Sequence, residues 1–214
     1  MNIEKEKSDL EHQKQQLHYY WKKSGTITSN SVLKAFMAVP RELFVGTSYR
    51  YQSYADHPLP IECDQTISQP TTVMLMLQLL NVIPGQRVLE IGTGSGYNAA
   101  LLSELTGEVV TVERHLKLVK IANDNLKQAG YESVFVVKGD GKEGYAAQAP
   151  YDKIMVTAAA QKMPQQLKDQ LSVGGLIVAP IGANYGCEML TVKKNSSDDF
   201  QTSKHGFFSF VPLV

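Results

Sequence analysis

The stretch VLEIGTGSGYNAALL, residues 88–102, constrains the fold more than any other. Val88, Leu89 and Ile91 form an apolar strand pattern that runs into Gly92, Gly94 and Gly96, and a helical pattern follows. Glycines at these positions permit a tight turn and close approach of the backbone to a ligand. Strand, glycine turn and helix in that order open an α/β sheet, and such sheets bind ligands at the carboxyl ends of their strands. The alternation continues downstream. Strands are predicted over 87–91, 108–113, 133–138, 152–157 and 176–180, with helices over 96–105, 115–129 and 164–171. Gly130 stands where a C′ glycine ends the 115–129 helix. Together these predict an α/β fold with a doubly wound, mostly parallel sheet. Two further apolar runs, 188–193 and 207–213, flank the polar loop NSSDD and are expected to pair antiparallel at the sheet edge.

Upstream of the sheet the pattern is helical. Ile3, Leu10 and Leu17 recur every seven residues, and Tyr20 and Trp21 extend that face. The stripe is narrow; packing on the domain is expected, with pairing to a second copy as the alternative. After the Ser24-Gly25-Thr26 break a short helix is predicted over 29–38, capped by Ser29 or Asn30 and stopped by Pro40. Residues 45–63 are rich in Tyr, Ser and Pro without a period, and long irregular segments inside compact domains are often functional. Tyr51, Tyr54 and the Pro58–Pro60 segment are candidates for a groove wall. Helical spacing resumes at Pro70, where Val73, Met74, Leu77 and Leu80 share a face; Met74, Met76 and Leu77 read as core. The 214 residues are read as one domain, with 1–60 a helical extension and substrate-side loop and 61–214 the cofactor-binding core.

Composition removes several classes of function. Lys plus Arg and Asp plus Glu are both 21, so the formal net charge is zero. A protein that grips a phosphate backbone shows a basic excess, so no nucleic-acid partner is expected. No apolar run approaches the roughly 18–20 residues that span a bilayer, and the polar start MNIEKEKSDLEHQ is no signal peptide. No membrane association and a cytoplasmic location are expected. Cys63 and Cys187 stand far apart without a nearby histidine pair, so reduced thiols and no metal site are expected. His57 and His115 lack partners at ligand spacing.

The spacing of the glycine loop narrows the ligand. A dinucleotide fingerprint is G-x-G-x-x-G; here it is G-x-G-x-G, with Tyr97 where the third glycine would stand. A carboxylate at Glu90, just before the loop, repels a pyrophosphate and attracts an ammonium or a sulfonium. That favours S-adenosylmethionine over a nicotinamide dinucleotide. Glu113 ends the next strand about 20 residues on, where an acid accepts ribose hydroxyls. Asp140, in the GDG at 139–141, follows the third strand and is a candidate for the adenine amino group. Each acid alone reads as a solvated loop residue. Three of them at successive strand ends, beside the glycine loop, read as a nucleoside-cofactor site.

The segments VPRELFV, YADHPLPI, QTISQP, VLEIGTGSGYNAALL, VTVER, GDG, AAAQKMPQQLKDQLSVGG and FVPL resemble the protein-L-isoaspartate O-methyltransferase family, from about residue 26 to the C-terminus. The glycine loop alone is only methyltransferase-like; QTISQP upstream of it and FVPL at the end are more specific. The resemblance implies a Rossmann-like methyltransferase fold with N-terminal helices and S-adenosylmethionine as donor. It implies methyl esterification of the α-carboxyl of isoaspartyl residues in damaged proteins and peptides. The ester then collapses to a succinimide that reopens to normal aspartate, a repair. It makes Ser68 the active-site residue and assigns cofactor contacts to Gln65, Thr66, Ile67 and Ser68. It also carries cofactor positions onto Glu90, Ile91, Gly92, Gly94, Gly96, Glu113, Asp140 and Gly141. The chain departs from the pattern in two places: Glu62-Cys63-Asp64 stands where the family usually has G-x-G, and Ser209-Phe210 where many bacterial members carry Arg just before FVPL. A monomer is expected, with a dimer as the alternative.

The sparse chemistry of DQTISQPTTVM, residues 64–74, fits that reaction. A sulfonium is an activated electrophile, and a substrate carboxylate is already ionised at neutral pH. No base, nucleophilic side chain or metal is required; positioning and desolvation carry the rate. Ser68 suits the orienting role, because a hydroxyl donates one hydrogen bond without adding charge. Backbone N–H groups at the start of the 70–81 helix are a second anion site. Locally, Ser68 also reads as an N-cap two residues before Pro70. A methyltransferase of another substrate, and a cofactor-binding module without catalysis, remain alternative readings.

Overall fold

The computed structural model describes residues 3–182 and 186–213. The chain opens with α1 (Ile3–Ser24), which buries Leu10, Leu17 and Trp21. The side chain of Ile3, expected on the same stripe, lies outside the described residues. Tyr20 does not extend the stripe. It is 58% exposed, because a helical neighbour of Trp21 is turned about 100° away from the buried face. Lys14 lies on that face instead, with its ammonium reaching Met37 O at 2.7 Å and its stem covering apolar surface. Next comes α2 (Asn30–Ala38), whose N-cap is Ser29; its hydroxyl accepts from Val32 N. Val39 and Pro40 end it, in extended backbone.

The irregular stretch contains a hairpin that the sequence pattern does not reveal. Strands β1 (Leu59–Pro60) and β2 (Thr66–Ile67) pair antiparallel, Leu59 with Ile67 and Pro60 with Thr66. Two residues per strand are too few to show a period of two. Helix α3 (Pro70–Leu80) follows, with Pro70 in its first turn, where a missing N–H costs nothing. Met74, Met76 and Leu77 are core residues.

From there strands and helices alternate: β3 (Arg87–Ile91), α4 (Tyr97–Thr106), β4 (Glu108–Glu113), α5 (Leu116–Ala129), β5 (Phe135–Lys138), β6 (Tyr151–Val156), α6 (Gln165–Asp169) and β7 (Leu171–Ile181). The edge adds β8 (Cys187–Lys194) and β9 (Phe200–Phe208). The seven longer strands form one sheet in the order β5-β4-β3-β6-β7-β8-β9. Neighbours are parallel from β5 to β7, and β7–β8 and β8–β9 are antiparallel. This is the expected doubly wound α/β sheet, with its switch point at β3, between β4 and β6. One sheet face packs Val88, Met155 and Val178 against Phe36, Met74 and Leu101. The other packs Leu89, Ile91, Ile154 and Ile177 against Leu167. No helix among the described residues is long and apolar enough to cross a membrane.

Three expected boundaries move. The 164–171 helix is only α6; Leu171 already pairs with Tyr151 in β7. Gly174-Gly175, which reads as a break before the strand, is an irregularity inside it, where the β6–β7 register shifts and Gly174 takes φ 83°. The last strand starts at Phe200 rather than 207, because a short loop closes the β8–β9 hairpin directly. Its residues Gln201 to His205 are polar and exposed, as an edge strand permits, and so carry no apolar signal. Residues 210–213 leave the hairpin and lie beside 159, where Ala159 bridges Pro212.

Candidate active site

At the carboxyl end of β3 the backbone turns through Gly92 at φ 96° and on through Gly94 and Gly96 before α4 begins. Gly92 has a second constraint. A Cβ there would lie 2.5 Å from Thr157 Oγ1, whose hydroxyl sits 2.9 Å from Ile91 O and 2.8 Å from Gly92 O. Thr157 follows β6, so it ties the end of one central strand to the loop at the end of the other.

The three predicted acids have different surroundings. Glu113, at the end of β4, is buried, and its two oxygens accept from Gly94 N at 3.1 Å and His115 N at 2.9 Å. It thereby fixes the glycine loop and the start of α5 together, and lines the cavity between them. Glu90 lies beneath the loop with 0% exposure. Thr111 Oγ1 donates to its Oε2 at 2.6 Å, while Oε1 has no partner. Burial pushes this carboxyl up to about 8; the Thr111 hydrogen bond opposes the shift and Glu113 adds to it. Asp140 is exposed, and its Oδ1 accepts from Lys142 N at 2.9 Å, shaping the turn that brings Gly141 to the cavity. A Cβ on Gly141 would meet Ile91 Cγ2 at 2.4 Å, so only a glycine lets this turn close over β3.

Two concavities lie side by side at this end of the sheet. The first is lined by Gln65, Ile91, Gly92, Glu113, His115 and Gly141, with Pro212 and Leu213. The second is a cleft of about 680 Å³ lined by Thr66, Ser68, Gln69, Thr72, Thr157 and the 207–211 segment, with Pro58 at its rim. The same two chain segments form part of the wall of both. In QTIS, Gln65 faces the first concavity while Thr66 and Ser68 face the second. In FVPL, Phe210 and Val211 face the cleft while Pro212 and Leu213 face the first.

Not every expected site residue lines the two concavities. Ile67 is core, and Gly94 and Gly96 shape the loop without lining the cavity. Tyr54 is buried against Glu42, and Tyr51 is exposed and does not line the cleft, so Pro58 alone represents the expected groove wall. Ser68 is not the helix cap. The N-cap is Gln69, whose side chain takes no helix-start N–H, and the Asp56 carboxylate accepts from Thr71 N at 2.9 Å. That N–H is therefore not free to hold a substrate anion. Glu62-Cys63-Asp64 forms the hairpin turn, with Cys63 at φ 61° and Asp64 at φ 56°. Glu62 pairs with Lys117 at 2.6 Å, and neither Glu62 nor Asp64 lines the cleft. Thr157 and Arg41 carry no sequence signal of their own: a lone threonine at a strand end is ordinary, and Arg41 stands only as one residue of VPRELFV.

The residues present fit the expected donor. The glycine turn allows close approach, Glu113 stands at the second strand end, and Glu90 carries an unpaired oxygen beneath the loop, a polar atom that a cationic donor suits. Comparison with known proteins agrees. The family model for protein-L-isoaspartate(D-aspartate) O-methyltransferase matches residues 12–214. A Methanopyrus kandleri protein-L-isoaspartate O-methyltransferase is 45% identical over 90% of this chain and 87% of its own. One from Staphylothermus marinus is 44% identical over 97% of this chain and 96% of its own. A solved protein-L-isoaspartate O-methyltransferase superposes with TM-score 0.84 at 34% identity, covering 93% of this chain and 65% of that one. A Plasmodium falciparum structure titled a beta-aspartate methyltransferase, in complex with S-adenosyl-L-homocysteine, has the same fold, with TM-score 0.83 at 24% identity over 93% of this chain and 97% of that one. The chain belongs to the protein-L-isoaspartate(D-aspartate) O-methyltransferase family.

Proposed function

We propose that this protein methylates the α-carboxyl of L-isoaspartyl residues in damaged proteins and peptides, with S-adenosylmethionine as donor. The observation that carries the reading is the pair of segments, QTIS and FVPL, each with residues in both concavities. A transfer between two bound molecules depends on their fixed relative geometry, and segments that line both concavities set that geometry.

S-adenosylmethionine, when bound, supplies a methyl group on a positively charged sulfur. Gln65, Gly92, Glu113 and Gly141 would hold it, with Glu90 beneath. Everything else is done by the chain. The cleft takes the peptide, Ser68 donates a hydrogen bond that aims the attacking carboxylate oxygen, and Phe208, Phe210 and Leu75 keep water away. No proton has to be removed, so the lack of a base in the cleft is no obstacle. One carboxylate oxygen forms the new bond to carbon as the carbon–sulfur bond breaks, and the pair of electrons leaves with sulfur. The burial of Leu10, Leu17 and Trp21 within their own chain supports a monomer.

The reading is tested by following an isoaspartyl peptide with the protein and S-adenosylmethionine by chromatography. Succinimide and then the aspartyl peptide appear if the reading holds; an isoaspartyl peptide that persists unchanged refutes it.

A further inference from the structure

Arg41 sits in the turn Arg41–Leu43 with 0% exposure. Its Nε donates to Ser53 O at 2.7 Å and its Nη2 to Ser68 O at 2.8 Å. The guanidinium carbon lies 4.8 Å from the centroid of the Tyr97 ring. Tyr97 is fully buried and opens α4 directly after Gly96. Arg41 Nη1 and the Tyr97 hydroxyl are both buried without a hydrogen bond of normal geometry. One cation thus touches three segments: the turn before the cleft, the backbone of Ser68 and the head of the helix after the glycine loop.

Burying a side chain that stays protonated is costly unless its donors are satisfied. For stability alone, an apolar residue of similar volume serves as well or better. The bonds made by Arg41 point to a different use. Ser68 lies between the end of β2 and the start of α3 and belongs to neither element. Its carbonyl is held by Arg41, so the direction of its hydroxyl depends on that bond. The planar fork of a guanidinium meets two carbonyls at once, which the point charge of an ammonium on a shorter stem does not. Tyr97, in turn, gives the fork a fixed seat against the cofactor side.

The geometry points to Arg41 as the positioning residue for methyl transfer, setting Ser68 at its distance from the cofactor loop. This rests on the activity proposed above. A displacement of about 1 Å at a reacting centre costs about 100-fold in rate. Arg41 touches neither substrate nor cofactor, so its effect has to pass through Ser68.

The test is a double-substitution cycle with an isoaspartyl peptide, using S-adenosylhomocysteine affinity to confirm a folded cofactor site. Arg41→Lys is expected to lower kcat about 10- to 100-fold while cofactor-product affinity changes less than about 3-fold. On the Ser68→Ala background the same change is expected to alter kcat less than about 2-fold, because the group it positions is gone. A kcat for Arg41→Lys within about 2-fold of the unsubstituted protein, or two losses that simply multiply, overturns the proposal. If Arg41→Lys fails to bind S-adenosylhomocysteine, the cycle is run with Tyr97→Leu, which removes the seat and is held to the same outcomes. A second readout needs no turnover. Amide hydrogen exchange at residues 65–69 is expected to quicken in Arg41→Lys (or in Tyr97→Leu, if that variant replaces it) while residues 88–91 are unchanged; unaltered exchange at 65–69 also overturns the proposal. Should the unsubstituted protein transfer no methyl group, the proposed activity fails and the exchange readout alone decides whether Arg41 holds Ser68.

Discussion

Thr111 Oγ1 donates to Glu90 Oε2 at 2.6 Å and leaves the other oxygen of that buried carboxylate without a partner. The consequence is a group that keeps its proton in the native state from about pH 4.5, where it ionises in the unfolded chain, up to about pH 8. Across that window the folded protein binds more protons than the unfolded one. Stability without cofactor therefore falls as pH rises from about 4.5 to about 8, and Glu90→Gln flattens the fall. Thermal unfolding across the window checks this; an unchanged slope in Glu90→Gln contradicts it. A cation bound above the loop favours the ionised form, so cofactor binding near neutral pH releases up to about one proton. Calorimetry in two buffers of different ionisation enthalpy measures that release, and Glu90→Gln abolishes it.

Ser68→Ala removes the only role assigned to a side chain at the attacking carboxylate. A hydrogen bond lost to a charged group is worth roughly 1.5–3 kcal/mol, so kcat falls about 10- to 100-fold. Cofactor affinity stays within about 2-fold, since the lost contact is to the peptide. Steady-state kinetics and calorimetry on the same preparation separate the two.

Gly92→Ala strikes the loop twice. The backbone is left-handed there, which costs an L residue about 1–2 kcal/mol. The new methyl also meets Thr157 Oγ1 at 2.5 Å, and overpacking of this kind costs about 1–3 kcal/mol. A total loss of about 2–5 kcal/mol is expected in urea unfolding, with cofactor binding weakened as the loop shifts.

Cys63 and Asp64 both adopt left-handed backbone at the centre of the turn that Gln65 N closes onto Glu62 O at 3.3 Å, and Asn-Gly is the pair that best tolerates that backbone. Cys63→Asn and Asp64→Gly are each expected to stabilise the protein by about 0.5–1 kcal/mol. A rise in urea midpoint at constant slope is the readout.

Much of the sheet was legible because its strands are short apolar runs bounded by glycines: 87–91 and 108–113 match the observed strands residue for residue. What failed was local. A polar edge strand, a bulge at Gly174-Gly175 and a hairpin of two-residue strands have no periodicity to read. The acids were found by their positions at strand ends, but position does not reveal depth. Glu90 and Asp140 read alike in sequence, yet one is sealed under the loop and the other shapes a turn in solvent. Arg41 is visible in the sequence only as one residue of VPRELFV, because the carbonyl it binds lies 27 residues away. The Glu62-Cys63-Asp64 stretch puts two carboxylates where the family usually has G-x-G, and their surroundings are not written in the local sequence. Lys117, 55 residues on from Glu62, pairs with it, and neither Glu62 nor Asp64 lines the cleft.

The central claim is that the cleft beside Ser68 presents an isoaspartyl carboxylate to the methyl donor. The most direct measurement is transfer of a labelled methyl group from S-adenosylmethionine to a peptide with a single isoaspartyl residue, beside the same peptide with ordinary aspartate. The account predicts base-labile label on the isoaspartyl peptide and none above background on its twin. Equal labelling of both, or of neither, contradicts it.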